Sequence, residues 1–255
     1  MAGGGKMRPL SATLSLLNAA DGSAQVSIGD STVLVAVYGP TVATGRITRS
    51  ACDRCAISVT YRPAKGVAGT LEAERASIVR NALESVVLRA AHPGSVINVV
   101  AQVVSEDGGS SVLASSINAA CLALVDAGIP MASMLCANSV HFLPADGESG
   151  RGVEAAGKVQ ERLLHDATLA EEQRCVSSIV FAFSVRNALP EEVKQGTAGA
   201  GDDSTSGSSP KVFDMVTMKM VGKLPARQVS FAISSARVAA ATTFAFLKTA
   251  LERSN

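Results

Sequence analysis

The chain has 255 residues, 47% of them hydrophobic, which is enough to bury a substantial core in about one or two domains. Its formal net charge of +1 excludes a global basic field, so any contact with nucleic acid must come from a local patch. Aromatic residues make up 4% and Trp is absent, which argues against a base-stacking platform.

The amino-terminal sequence and the cysteines indicate an intracellular protein with free thiols. The opening MAGGGKMRPLS lacks the apolar region of a signal peptide. The cysteine count is odd, which does not suit a complete set of disulfides. No apolar run approaches ~20 residues without a break, so we expect no transmembrane helix and no membrane partner. The cysteines are Cys52, Cys55, Cys121, Cys136 and Cys175.

The first third of the chain reads as β-strands. Residues 23–27 and 33–38 are β-rich runs, and residues 28–31 between them have turn composition. Residues 56–61 form a third run with alternating apolar and polar side chains. Hairpin pairing among these runs predicts an antiparallel sheet.

A helix is predicted over residues 70–91, where apolar residues recur at helical spacing. Thr70 is the candidate N-cap, and Glu72 and Glu74 suit the helix dipole in the first turn. Pro93, followed by Gly, ends the helix.

The remaining elements follow from apolar runs and their breaks. A buried strand is predicted over 96–104 and a helix rich in small residues over 115–127, so the order begins β-β-β-α-β-α. The second half is looser, with a turn-rich stretch and a low-complexity stretch of Gly, Ser and Asp. Its predicted elements are strands at 134–142, 177–185 and 213–220 and a terminal helix at 225–251.

Several stretches together carry a resemblance to a known family. They are residues 21–24 (DGSA), 29–34 (GDSTVL), 37–40 (VYGP), 78–84 (IVRNALE), 107–110 (DGGS), 117–120 (INAA) and 123–131 (ALVDAGIPM). They resemble the RNase PH family, and the resemblance covers most of residues 8–253. Within the family, residues 103–105 and 118–131 most resemble one ring subunit of the eukaryotic RNA exosome.

The resemblance implies an α/β (α+β) fold of two similar β/α halves, with sheets backed by helices. It implies a single domain over residues 1–255, with insertions at about 144–157 and 195–210. It also implies a place in a ring, beside other RNase PH-like exosome subunits, with S1/KH-type cap subunits and single-stranded RNA as partners. The expected location is the nucleus and nucleolus, and also the cytoplasm. Active family members cleave RNA from the 3′ end by phosphorolysis.

Phosphorolysis needs cationic groups for the attacking phosphate, and active members carry an Arg near the start of the second helix. Here residues 107–113 read DGGSSVL, with two residues inserted relative to the family. The equivalent position is Ser111 or Leu113, and neither is cationic. Backbone N–H groups of Gly109, Ser110 and Ser111 could still cradle a phosphate. The alternative is a plain strand-to-helix connection.

The chemistry also needs carboxylates to position a divalent metal or act as general acid. Residues 163–172 (LLHDATLAEE) match a family segment with two aspartates six residues apart. Asp166 stands at the position of the first family aspartate, and Glu172 stands at the position of the second. The extra methylene moves a metal ligand by roughly one C–C bond, which can cost ~10²-fold in rate. The alternative is that Asp166 caps a helical turn, with Glu171 and Glu172 in that first turn.

Four basic residues are candidates for RNA contact: Arg62, Lys65, Arg75 and Arg80. Residues 62–66 (RPAKG) resemble a family loop that meets RNA near the ring pore. Cations there would neutralise phosphates without reading bases. The alternative is an ordinary solvated surface.

Other candidate sites are weaker. Cys52 and Cys55 have a metal-like spacing but no second pair of ligands, and zinc needs about four. The histidines share no spacing with a Ser or Cys nucleophile, although His165 stands next to Asp166. We therefore expect no cofactor and no metal.

The sequence leaves three hypotheses. The first is a non-catalytic ring subunit, a degenerate phosphorolytic exoribonuclease that scaffolds RNA processing and degradation. The second is an active phosphate-dependent exoribonuclease, and the third is a metal-dependent nuclease that uses Asp166 and Glu172. The missing cation at Ser111 or Leu113 favours the first.

Overall fold

The computed structural model describes residues 7–42, 53–143, 162–187 and 211–254, and within them two β-sheets. The first sheet has the strand order β1-β2-β3-β5-β4 and the second has β7-β6-β8-β9. The strands of the first sheet are β1 (Leu10–Leu14), β2 (Gly22–Ile28), β3 (Ser31–Val42), β4 (Ala56–Arg62) and β5 (Ser95–Ser105). Those of the second are β6 (Met134–Leu143), β7 (Arg162–His165), β8 (Ser177–Asn187) and β9 (Lys211–Gly222).

The helices lie against these sheets. They are α1 (Thr70–Val86), α2 (Gly109–Asp126), α3 (Leu169–Glu172) and α4 (Ala226–Ser254). Helix α2 packs between the sheets, against β2 and β3 on one side and β6 and β8 on the other. Helix α1 packs against β4, and α4 packs against β6 and β1. The expected mixed α/β fold, with two sheets backed by helices, is confirmed.

Close packing around α2 accounts for one of the family-like glycines. A Cβ on Gly22 in β2 would lie 2.4 Å from the backbone oxygen of Ala123 and 2.4 Å from the backbone nitrogen of Ala127. These atoms belong to the last turns of α2 and to its C-cap, so they cannot move aside as a flexible side chain can. Only glycine lets strand and helix approach this closely.

The INAA stretch also has a structural role. Asn118 is fully buried in α2, and its side-chain amide donates to the Ala137 carbonyl of β6 at 2.9 Å. Its Oδ1 accepts from the Ala137 backbone N–H at 2.7 Å. A buried amide that is satisfied on both sides fixes the register of helix against strand.

The structure corrects the predicted pairing of β4. We expected the first three strands to form hairpins, and β2 with β3 does so. Strand β4 instead pairs in parallel with β5, from Ala56 opposite Val96 to Arg62 opposite Gln102. A parallel pair needs a long crossover, and α1 lies in that connection.

Some predicted element ends were wrong. Helix α1 ends at Val86 rather than residue 91, and its N-cap is Gly69 rather than Thr70. Helix α2 begins at Gly109 rather than residue 115, because residues 110–114 are buried and belong to the helix. Strands β1 and β7 were not predicted.

Both expected insertions lie outside the described residues, so the single-domain boundaries stay a prediction. The described strand ends beside each insertion are paired: Leu143 with Arg162, and Asn187 with Lys211. Each insertion therefore connects two strands at a hairpin end.

Two described helices, α2 and α4, are long and apolar enough to cross a membrane by length and composition alone. Most of α2 is buried inside the protein, which is usual for a core helix, whereas most of α4 is not. The expectation of no membrane partner stays a prediction.

Candidate functional site

The start of α2 is the centre of the candidate site. Gly108 has a φ of +111°, a conformation that favours glycine, and it turns the chain from β5 into α2. The first backbone N–H groups of a helix have no partner within the helix and carry partial positive charge. They form an anion-binding position for this reason.

The carboxylate of Glu172 occupies this position. Its Oε2 accepts from the backbone N–H of Gly109 at 2.8 Å, and its Oε1 accepts from that of Ser110 at 3.2 Å. The Ser110 hydroxyl donates to the same Oε1. Two of the three N–H groups that could cradle a phosphate, those of Gly109 and Ser110, are therefore already satisfied by a side chain of the protein.

Helix α3 positions Glu172. Thr168 is its N-cap and accepts from the Glu171 backbone N–H, while Glu171 accepts from the Thr168 N–H at 2.9 Å. These hydrogen bonds hold the pKa of Glu171 below its usual value. Thr168, not Asp166, caps the turn, so that part of the alternative interpretation was wrong, whereas Glu171 and Glu172 do lie in its first turn.

Asp166 faces a different element. It is 2% exposed, has a φ of +52°, and accepts from the Ser139 hydroxyl of β6 at 3.0 Å. Burial raises its pKa above the usual value, and the hydrogen bonds from Ser139 act in the opposite direction. Asp166 thus accepts from β6 and Glu172 from α2, and a joint catalytic role for the two carboxylates stays a prediction.

Asp107 joins the two loops of the site. Its Oδ2 forms an ion pair with Arg8 at 2.6 Å, and its Oδ1 accepts from the Leu169 backbone N–H at 3.3 Å. Its own backbone N–H donates to the Ser31 hydroxyl at 3.1 Å. This residue of the DGGS stretch therefore holds the loop before α2 against α3.

A pocket of about 160 Å³ opens beside the start of α2. Its wall contains two cations, Arg75 of α1 and Lys219 of β9. Arg75 is 7% exposed, lies 5.8 Å from the Tyr61 ring centroid, and pairs with Glu106 at 3.3 Å. Lys219 pairs with Glu74 at 3.0 Å.

The structure separates Arg75 from the exposed basic residues with which the sequence grouped it. It belongs to this pocket and lies close to α2, since a Cβ on Gly109 would be 3.0 Å from its Nη2. Sequence reasoning missed Lys219. No spacing rule connects it to Gly109, because the two residues meet only through the packing of the second sheet against α1 and α2.

The positions where a phosphate-binding Arg was sought lie inside the protein. Ser111 is fully buried, and its hydroxyl donates to the Ala167 carbonyl at 3.3 Å. Leu113 is 2% exposed and lines the pocket with its apolar side chain. Neither position supplies a positive charge.

Arg62, Lys65 and Arg80 are exposed. Arg62 ends β4, Lys65 follows in the next loop, and Arg80 lines a shallow groove with Val59 and Ala73. Across the described part of the chain, these cations form no ion pair. Their charge is therefore open to solvent, as an RNA contact requires, and that contact stays a prediction.

The metal-like Cys pair gains no support from its surroundings. Cys52 lies outside the described residues, and Cys55 is buried at the start of β4. Among the described residues, no group of three or more His, Cys, Asp or Glu side chains is placed to hold a metal ion. The expectation of no metal and no cofactor stays a prediction.

Comparison with known proteins gives the family. Residues 6–130 match the RNase PH family, described as 3′ exoribonuclease family, domain 1. An exosome complex exonuclease RRP46 homolog of Oryza sativa subsp. japonica is 35% identical over 192 residues, 74% of this chain and 73% of that protein. The chain belongs to the RNase PH family.

Two further similarities extend over nearly the whole chain. An exosome complex exonuclease RRP46 homolog of Arabidopsis thaliana is 28% identical over 250 residues, 98% of this chain and 93% of that protein. The crystal structure of rice (Oryza sativa) Rrp46 has a TM-score of 0.72, 27% identity, and 96% coverage of both chains. The resemblance seen in the sequence, to the RNase PH family and to this ring subunit, is confirmed.

Proposed function

We propose that this chain is a non-catalytic RNase PH-like ring subunit of an RNA exosome. Its relatives are named as exosome RRP46 proteins, and similarity to them spans nearly the whole chain and its fold. In this role it supports 3′-to-5′ RNA processing and degradation by scaffolding the ring and contacting RNA. Its partners are other RNase PH-like ring subunits, S1/KH-type cap subunits and single-stranded RNA, in the nucleus, nucleolus and cytoplasm.

One observation carries the non-catalytic part of the proposal. The Glu172 carboxylate accepts hydrogen bonds from Gly109 and Ser110, which are the donors an attacking phosphate would need. A phosphate would have to displace a carboxylate that is covalently part of the chain and held by α3. Its negative charge also repels a second anion.

The nearby cations do not replace the phosphate-binding Arg that this chain lacks. Arg75 and Lys219 line the pocket, and this favours the second hypothesis, an active phosphorolytic enzyme. Each of them, however, is paired with a carboxylate, Glu106 or Glu74. Phosphate binding would therefore compete with existing ion pairs and with Glu172.

The metal-dependent nuclease is the least supported hypothesis. It would use Asp166 and Glu172 as joint ligands, but Asp166 is buried against Ser139 and Glu172 caps α2. Metal ligands must converge on one point. These two carboxylates satisfy donors on separate elements instead.

A nucleolytic assay tests the proposal. Labelled single-stranded RNA is given to the purified chain, and separately to the chain assembled with its ring partners, with and without inorganic phosphate. We expect no phosphate-dependent release of nucleoside diphosphates by the chain, because loss of a preorganised charge-stabilising donor typically costs ~10²–10³-fold in rate. Robust release that Asp166→Ala abolishes would overturn the proposal and support the enzyme.

A further inference from the structure

A groove lies between strand β1 and the carboxyl-terminal half of helix α4. Its volume is about 510 Å³, within the range of roughly 300–1,000 Å³ that is usual for ligand pockets. Strand and helix approach at one end, where the Thr242 hydroxyl donates to the Met7 Sδ at 3.0 Å, and the groove opens beyond this contact. Its walls include Leu10, Ser11 and Ala12 from the strand side and Ala245, Phe246 and Ala250 from α4.

Strand β1 is an open edge of the first sheet. It pairs with β2 alone among the described strands, and its sequence LSATL contains no charged residue and no proline. Edge strands are usually protected by charge, by proline or by a covering segment, because an unpaired edge recruits other chains. The unprotected edge of β1 therefore favours a partner that covers it.

The hydrogen bonds at the two ends of β1 show which of its backbone groups are free. The Ser15 N–H donates to the Ser23 carbonyl at 2.9 Å, and the Pro9 carbonyl accepts from the Gly29 N–H at 3.0 Å. In an antiparallel pair, residues bonded to the partner strand alternate with residues whose N–H and C=O point away from it. The odd-numbered residues of β1 therefore bond to β2. The residues that face the open edge are Leu10, Ala12 and Leu14.

The groove places an apolar wall beside these free backbone groups. Leu10 and Ala12 line it, and together with Phe246 they pack against the main core, so the groove lies on the core-facing side of β1. Opposed residues of paired strands share a face, so every second side chain of an added strand would enter the groove. The small side chains of Ala245 and Ala250 leave room there for larger apolar ones.

One cation stands at the far end of the groove. Arg253 lines it and is exposed. Arg253 follows Thr242 by three helical turns, about 16 Å along the axis, so it lies away from the contact with Met7. Within the described part of the chain it forms no ion pair. A carboxylate at this end of a bound segment would complement its charge.

We propose that β1 and α4 form a docking groove for an extended segment of another protein, which adds to β1 as a further strand. The segment carries apolar side chains at alternate positions and an acidic residue at the Arg253 end. In such strand addition, main-chain hydrogen bonds provide affinity and the alternate side chains provide specificity. The inference goes beyond the proposed function, because no residue of this groove lines the pocket at the start of α2.

Random hexapeptides displayed on phage are the first probe, selected on the immobilised full-length chain. The wild type should enrich peptides with apolar residues at alternate positions and Asp or Glu beyond them. Circular dichroism confirms that each variant used below is folded. Enrichment of no pattern, or of apolar residues spaced as on a helix, would overturn the proposal.

The enriched peptide is then labelled, and its affinity is measured by fluorescence anisotropy. Arg253→Ala should weaken binding by up to about fivefold, whereas Arg227→Ala, which removes an exposed cation of α4 outside the groove, should not. Arg253→Glu should prefer the same peptide with Lys in place of its acidic residue. Ala12→Pro removes one edge N–H where an edge strand tolerates proline, and should weaken binding by about fivefold or more. Equal losses in Arg253→Ala and Arg227→Ala would contradict the proposal.

Methylation of single peptide nitrogens separates strand addition from other modes of binding without changing the protein. An added strand directs every second N–H to β1, so alternate methylations should abolish binding and the intervening ones should be tolerated. In the chain, the peptide should slow hydrogen exchange at Leu10, Ala12 and Leu14. Ser11 and Thr13, which already bond to β2, should change much less. Equal effects of all methylations, or no protection at Leu10 and Ala12, would also contradict the proposal.

Two other occupants would overturn it. A second copy of this chain would protect Leu10 and Ala12 without peptide, increasingly with protein concentration. If residues 1–6 of the same chain filled the groove, deleting them would strengthen peptide binding more than about tenfold, because a tethered competitor acts at a high effective concentration. Phosphorolysis by the wild-type chain, in contrast, would overturn the proposed function and leave all these measurements unchanged.

Discussion

Carboxylates define the chemistry of this chain at the scale of single residues. Glu172 caps α2, Glu171 caps the turn that carries Glu172, and Asp107 joins the two loops. Each carboxylate accepts a hydrogen bond from at least one backbone N–H group. A bound phosphate or a metal-bound water would otherwise use these donors. The resulting site is held together by hydrogen bonds to its own carboxylates, which supports the proposed non-catalytic role.

Asp166 gives a prediction about stability. Its pKa in the folded state is raised by burial, so the folded state holds its proton more tightly than the unfolded state does. The stability that this contributes is present below pH ~4 and is lost as the pH rises through the raised folded-state pKa. Above that range the raised pKa of Asp166 makes a net unfavourable contribution, which a neutral side chain avoids.

Asp166→Asn should therefore leave the free energy of unfolding at pH 7 unchanged within about 1 kcal/mol, or increase it. Asn still accepts from Ser139 through its Oδ1 and tolerates the positive φ. Urea unfolding at pH 7 and pH 4.5 should show the advantage of the variant shrinking in acid. Asp166→Ala is the control, and it should cost about 1–3 kcal/mol by leaving the Ser139 donors unpaired. A large loss in Asp166→Asn at pH 7 would mean that the ionised form is required.

The sequence located part of this site. It pointed to the start of α2 and to Glu172 through the family resemblance, which residues 107–113 and 163–172 carry. It could not show that Glu172 reaches Gly109, since that contact depends on how the second sheet packs on α2. The same reason explains why Lys219 was missed.

Secondary structure was predictable where one periodicity dominated. Strands β2, β5 and β8 alternate or run apolar over their length, and their predicted ends agree with the structure to within two residues. Strand β3 continues four residues beyond its predicted end, to Val42. The first turns of α2 contain Gly and Ser, which are weak helix formers, so the sequence placed the helix start too late. Strand β7 has four residues, too few for a pattern.

Strand pairing was less predictable than strand existence. Nothing local to β4 distinguishes a hairpin with β3 from a parallel pair with β5, because the choice depends on where α1 packs. Buried side chains of α1, including Val79 and Leu83, belong to the main core cluster. The chain therefore packs α1 on β4 in the same connection that makes β4 and β5 parallel.

The connection between β8 and β9 gives a prediction at the scale of elements. Asn187 and Lys211 are register partners, so the strand ends stand side by side and a short turn can join them. Replacing residues 188–210, which include the predicted low-complexity insertion, with a turn such as Asn-Gly should leave the melting temperature within a few degrees. A thermal melt of both chains checks this. A fall of more than about 10 °C would correspond to several kcal/mol and contradict it.

The surface of the whole molecule favours association. Strand β9 is an edge of the second sheet and exposes Met215, Met218 and Met220, while α4 exposes Phe231 and Val238. Exposed apolar side chains beside an unpaired strand edge promote contact with other chains. We expect the purified chain to form dimers or aggregates alone, and to become monodisperse with another RNase PH-like subunit.

Light scattering after size-exclusion chromatography measures this association. The double variant Met218→Lys and Met220→Lys should reduce self-association without unfolding the chain, because both side chains are partly exposed and charge protects a strand edge. Exchanging exposed Lys223 and Arg227 for Ala is a control that leaves the apolar surface intact. A stable, monodisperse wild-type monomer would argue strongly against a ring role.

RNA binding depends on charge at the scale of the whole molecule, because the net charge of +1 provides no general attraction. We expect affinity to come from Arg62, Lys65 and Arg80 and to fall steeply with salt. For single strands the slope of log K against log salt is about −0.7 for each phosphate contact, so changing all three to Ala should reduce its magnitude by about 2. Fluorescence anisotropy with labelled single-stranded RNA at several salt concentrations gives the slope.

A variant with Lys223, Arg237 and Arg253 changed to Ala loses the same charge from other exposed positions and should keep the wild-type slope. If the salt slope falls equally in both variants, RNA binding depends on overall charge rather than on Arg62, Lys65 and Arg80. If the slope changes in neither variant, RNA contacts another surface.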